Sequence, residues 1–94
     1  MMMPGRDPQF VQLETVWRER LSRAEERLSR AVAESKRVLA EFQEGVMVPP
    51  DGSLAIRNVH LEESRARQEY MRVLRAFTDL TLYGVMPAEN TDES

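Results

Sequence analysis

From Phe10 to Glu44 the chain runs for thirty-five residues without a glycine or a proline. Those two residues interrupt helices, so their absence over such a length leaves a long helix open to this segment. The apolar side chains confirm the period. Phe10, Leu13, Trp17, Leu21, Ala24, Leu28, Ala31, Val38 and Phe42 recur three and four apart, the spacing of one helix face rather than the alternation of a strand. Ser35 is the one clear polar break in the series. Asp7 is placed to cap the first free amides, and Pro8 suits the first helical position because its φ is already set. Gly45 is the natural stop, since it can adopt the left-handed conformation that closes a helix, with Val46 folding back onto the last turn. A helix over about 8–44 would be roughly 55 Å long.

The next stretch, Val46-Met-Val-Pro-Pro-Asp-Gly-Ser53, reads as a connection. Two prolines oppose a continuing helix and Asp51-Gly52 is a turn dipeptide. A second helix is expected over about 54–83, capped by Ser53 or Asp51. Its apolar series is Ile56, Val59, Ala66, Tyr70, Val73, Phe77 and Leu80, with Glu63 at the one polar core position. Gly84 ends it. Gly45-Val-Met-Val-Pro and Gly84-Val-Met-Pro echo each other, one stop signal used twice.

Ninety-four residues suffice for one small domain, a hairpin over 1–87 followed by a mobile acidic tail over 88–94. No cysteine is present, which excludes a disulfide framework, a thiolate nucleophile and a sulfur-ligated zinc. The single histidine, His60, excludes a His-rich metal site within one chain. Neither a signal-peptide core nor a membrane-length apolar run occurs, so a cytoplasmic setting is the default.

A short connection makes the helices antiparallel neighbours. Pairing Phe42 with Ile56 next to the turn brings Val38 to Val59, Ser35 to Glu63, Ala31 to Ala66 and Leu28 to Tyr70. Ala24 then meets Val73, Leu21 meets Phe77, and Trp17 meets Leu80. The Ser35–Glu63 layer is expected to fix the pairing, because a carboxylate at a core position must find a donor such as Arg67, Ser35 or an arginine of a partner chain.

A lone pair of helices buries one stripe on each, which seldom offsets backbone ordering at about 1–2 kcal/mol per residue. This chain also carries Val11, Val32, Leu39, Leu61, Met71, Leu74 and Leu82 beyond the paired stripes. Self-association into a four-helix bundle or coiled-coil-like assembly would cover them, with Val32, Leu39, Met71 and Leu74 in or beside the contact.

Other chemistry finds less support. His60 and Glu63 stand in the order His-x-x-Glu, the reverse of the Glu-x-x-His spacing of di-iron bundles, and no opposing carboxylate is placed on the inner face of the first helix. No metal or other cofactor is therefore expected. Five arginines, at 18, 20, 23, 27 and 30, cluster on the first helix, but glutamates interleave with them and the net charge is −3, so nucleic acid is an improbable partner. No nucleophile stands at a suitable spacing from His60 for catalysis. The expected function is that of a non-enzymatic helical scaffold, adaptor or small subunit, binding itself or another helical protein. A nucleic-acid-associated regulator and an interchain, ferritin-like metal-dependent oxidase are the alternatives.

Overall fold

A computed structural model of the chain describes residues 8–46 and 49–87. Two helices, α1 (Pro8–Gln43) and α2 (Asp51–Tyr83), pack against each other as an all-α hairpin. With extents of 67 × 27 × 16 Å the molecule is a long plate one helix thick. Among the described residues no helix is long and apolar enough to cross a membrane. The expected Asp7 cap and the acidic tail over 88–94 lie outside the described residues.

Both helix stops are where the glycines stand. Gly45 has φ +81°, its N–H donates to Phe42 O at 3.1 Å, and the Val46 N–H donates to Glu41 O at 2.9 Å. That pair of bonds is a Schellman closure, satisfying two carbonyls that the helix itself leaves open. Val46 contributes its amide and not its side chain, which is 69% exposed and does not fold back as expected. Gly84, at φ +68°, closes α2 differently, its N–H reaching Leu80 O at 3.1 Å while Val85 N–H reaches Asp79 O at 3.1 Å. Nothing lies within 4 Å of a Cβ added at Gly45. Gly45→Ala is therefore expected to cost about 1–2 kcal/mol through the left-handed backbone alone, measured as a lower urea midpoint with an unchanged m-value.

The second helix starts three residues earlier than expected. Pro50, with φ −84° and ψ −12°, is the N-cap, and no side chain caps the helix, so neither Ser53 nor Asp51 plays that part. The first helical bond runs from Leu54 N–H to Pro50 O at 3.0 Å. Proline supplies a preset φ and has no amide to leave unsatisfied, which makes Pro50-Asp51-Gly52 a competent helix start despite its resemblance to a turn. Asp51 then lies in the first turn, where its carboxylate complements the helix dipole.

The two helices mesh along one row of each. Buried residues recur every seven: Trp17, Ala24, Ala31 and Val38 on α1, and Gly52, Ala66, Val73 and Leu80 on α2, with half-buried Val59 in the same series. Trp17 packs with both Val73 and Leu80. Those two are about 10 Å apart along α2, so a side chain that reaches both lies between them. Trp17 thus meets Leu80, its expected partner, and Val73 as well, and the expected pair Leu21 and Phe77 packs on the same cluster. The alanines on both helices permit the close approach that such meshing requires.

Candidate association surface and polar layer

Cross-helix bonds identify the two sides of the seam. On one side buried Ser35 lies beside Glu63, near enough for its hydroxyl to help lower the carboxyl. On the other Arg27 grips Glu62 with two bonds, Nε at 2.8 Å and Nη2 at 3.1 Å. Helical geometry then assigns the remaining rows, since residues seven apart share a row.

The Ser35–Glu63 side is largely apolar. Next to the core it carries Leu21, Leu28 and Phe42 from α1 with Ile56, Tyr70 and Phe77 from α2, all half-buried. Flanking them on α1 are Val32, half-buried, and Leu39, 40% exposed. Leu74, half-buried, flanks them on α2. Met71, 56% exposed, stands one turn from Leu74 on the outer edge, and the two line a shallow hollow with Arg67, Arg75 and Tyr83. Three of the four residues expected at an interface therefore share one side and the fourth borders it. Along the hairpin Val32 and Leu39 lie toward the connection, while Leu74 and Met71 lie toward the open end. At that end Phe10, Leu13 and Leu21 pack on the Trp17 cluster with Ala76 and Phe77. Arg18 stacks over the Phe77 ring at 5.4 Å.

Glu63 is the one carboxylate beside the core on this side of α2. Arg67 Nη2 donates to it at 3.0 Å, and Ser35, only 8% exposed, lies beside it across the seam. The Arg67 guanidinium chiefly, with the Ser35 hydrogen bond and nearby His60, holds the Glu63 carboxyl below the usual carboxylate range. Glu62 beside Arg27 and Glu34 beside Arg37 are lowered in the same way. A carboxylate whose folded pKa is depressed stabilises the fold above its unfolded pKa, ~4.3, and loses that contribution as pH falls through the folded value. Acid unfolding is accordingly expected to begin below about pH 4.3. In an NMR titration Arg67→Gln should raise the Glu63 midpoint more than Ser35→Ala does.

The opposite side is charged, and its organisation was not visible in the sequence. Arg20 and Arg27 occupy one row of α1 and Arg23 the next, and all three line one hollow with Glu69 and Arg72 of α2. The Arg20 guanidinium lies over the Trp17 ring at 4.6 Å. The two rows are neighbours on the same side of the seam. The Arg27–Glu62 pair itself could have been found by noting that both residues flank the core on that side. His60 is exposed on α2, and among the described residues no three His, Asp or Glu side chains converge as metal ligands would. Compared with protein-family models, with curated proteins and with solved structures, the chain matches none.

Proposed function

We propose that this chain is a non-enzymatic helical subunit that works by associating with a second copy of itself through the Ser35–Glu63 side, two hairpins making a four-helix bundle. The observation that carries this reading is the sorting of side chains across a plate one helix thick. Leu21, Leu28, Val32, Leu39, Phe42, Ile56, Tyr70, Leu74 and Phe77 collect on one side, each half-buried or exposed, with the Glu63–Arg67 pair among them, while the Arg27–Glu62 and Arg72–Glu69 pairs lie on the other. A hairpin alone leaves that apolar side half covered, at ~25 cal/mol for each Å² of apolar surface left in water.

Area supports the same conclusion. A side 67 Å long and 27 Å wide is about twice the ~800 Å² per partner of a standard interface. A second copy is the economical occupant, because it brings an equal apolar side and covers both patches in one closed two-fold assembly. Glu63 and Arg67 would then lie within the contact beside Ser35, the two charges already hydrogen-bonded to each other, so that their burial leaves no unpaired charge. Light scattering after size exclusion tests this. The expected mass is at least twice the 10.9 kDa of one chain. A cooperatively folding monomer at micromolar concentration would overturn it.

A further inference from the structure

The polar layer does not lie in the middle of the hairpin. Successive heptad positions line the apolar side next to the core: Leu21, Leu28 and Ser35 on α1, and Phe77, Tyr70 and Glu63 on α2. Leu21 and Phe77 pack on one cluster at the open end, and Ser35 lies beside Glu63. Leu28 and Tyr70, one heptad from each, therefore form the level between them, near the centre of α1. The Ser35–Glu63 level is displaced from that centre by about 10 Å toward the connection. It holds a buried hydroxyl and a half-buried carboxylate, which Arg67 reaches at 3.0 Å. Phe42 and Ile56 lie beyond it, and the other two levels are also built from large apolar and aromatic residues. The apolar side thus has a direction: turned end for end, it does not match itself.

We infer that this off-centre layer sets the direction of self-association: two copies pair with their connections at the same end, and the partner's Glu63, Ser35 and Arg67 complete one shared polar layer. The inference rests on the self-association proposed above. Two-fold symmetry allows two face-to-face arrangements. With the axis parallel to the helices, each level meets the same level of the partner, and α1 of one copy faces α2 of the other. With the axis across the helices the copies run in opposite directions, and α1 faces α1. Reversal about Leu28 and Tyr70 gives full overlap, but sets Ser35 against the partner's Leu21 and Glu63 against the partner's Phe77. A charge pair is then desolvated by an apolar surface twice in each dimer. Reversal about the polar layer itself avoids that mismatch and leaves Leu21 and Phe77 beyond the end of the partner, uncovered. Only the same-direction arrangement joins polar to polar and covers every apolar level. The two Glu63 carboxylates approach each other there, each with its own Arg67, so the layer is neutral. The other charges of these rows are Glu14, Arg18, Glu25 and His60. Reversal about Leu28 sets the first three opposite the partner's Phe42, Leu39 and Val32. The same-direction arrangement places Glu25 between the partner's Leu74 and the partner's Arg67, and leaves Glu14 and Arg18 by the open end. His60 faces the partner's Thr81 on reversal and the partner's Leu39 otherwise, the one position that reversal favours.

The chain has no cysteine, so a spin label on Gln43→Cys is unique. Gln43 is exposed at the connection end of α1. Pulsed electron–electron distance measurement on the labelled assembly should give one population below about 30 Å, the diagonal of a four-helix bundle with ~8–10 Å between neighbouring axes plus two label arms. Reversal would separate the labels by roughly 45 Å along the helices alone. Gln12→Cys, exposed toward the open end, should give the short distance as well. Ser35→Ala with Glu63→Leu removes the polar layer. The labelled variant should still associate and should now show both distances. A long distance in the unaltered layer, or a single short distance that persists after the layer is removed, would overturn the inference. Light scattering on the same samples reads association itself. A monomer removes the bundle and this inference with it, whereas a dimer with the long distance removes only the direction.

Discussion

Leu39→Glu combined with Leu74→Glu is expected to convert the assembly to a monomer or to an unfolded chain at micromolar concentration, whereas Glu19→Gln should leave mass and stability unchanged. Both leucines stand on the apolar side, one toward the connection and one toward the open end, and neither belongs to the buried core of the hairpin. In an isolated hairpin these substitutions would therefore exchange partly wet leucine for wet glutamate, a surface change of the kind usually worth less than about 0.5 kcal/mol. In the bundle each leucine becomes covered. Full burial of a large aliphatic side chain contributes ~1.5–3 kcal/mol, and a two-fold dimer counts each position twice. Each carboxylate adds a desolvation cost on entering the contact. The combined loss is comparable to the ~5–15 kcal/mol stability of a whole small domain. Light scattering and a concentration-dependent thermal midpoint check it. A double variant with the wild-type mass and midpoint would show that the apolar side is not the contact.

The hairpin was legible because helix formation and helix pairing both write themselves as short-range spacing. Trp17, Ala24, Ala31 and Val38 at intervals of seven, and Gly45 and Gly84 at the ends, carry that information in adjacent turns. What was not legible depended on the relation between the helices. Taking Asp51-Gly52 as a turn displaced the start of α2, although Pro50 is itself a competent first step into a helix. Gly52 consequently went unnoticed as a buried position. The arginine cluster escaped for a related reason. Charge counted along one helix averages over all its sides, whereas the field at a site depends on which rows of two helices meet. Arg27 with Glu62, thirty-five positions apart, is the contact that identifies those rows.

Trp17 carries the largest single expected effect within one chain. Its side chain is 1% exposed and packs with Val73 and Leu80, also fully buried, while Phe10, Leu13, Leu21, Ala76 and Phe77 complete the surroundings. Trp17→Ala removes an indole from a site that α1 and α2 line but cannot close upon, and should cost about 3–5 kcal/mol. On a two-helix scaffold that is enough to leave the chain substantially unfolded. Trp17→Phe separates two contributions. Among the described residues the indole N–H has no hydrogen-bond partner, and a buried donor left unmade costs about 1–3 kcal/mol. Phenylalanine removes that donor while keeping an aromatic face for the Arg20 guanidinium, which now lies 4.6 Å from the Trp17 ring. Against this it loses part of the ring volume between Val73 and Leu80 and some of the cation–π attraction, worth about 0.5–1 kcal/mol at an open site. The two sides nearly cancel, so Trp17→Phe should lie within about 1 kcal/mol of the wild type. Urea unfolding followed by circular dichroism at matched protein concentration is the appropriate measurement, since the substitution also removes the only tryptophan and with it the fluorescence signal. A phenylalanine variant as unstable as the alanine one would mean that the indole N–H is satisfied in the assembled protein, by a group that association brings to this end of the hairpin.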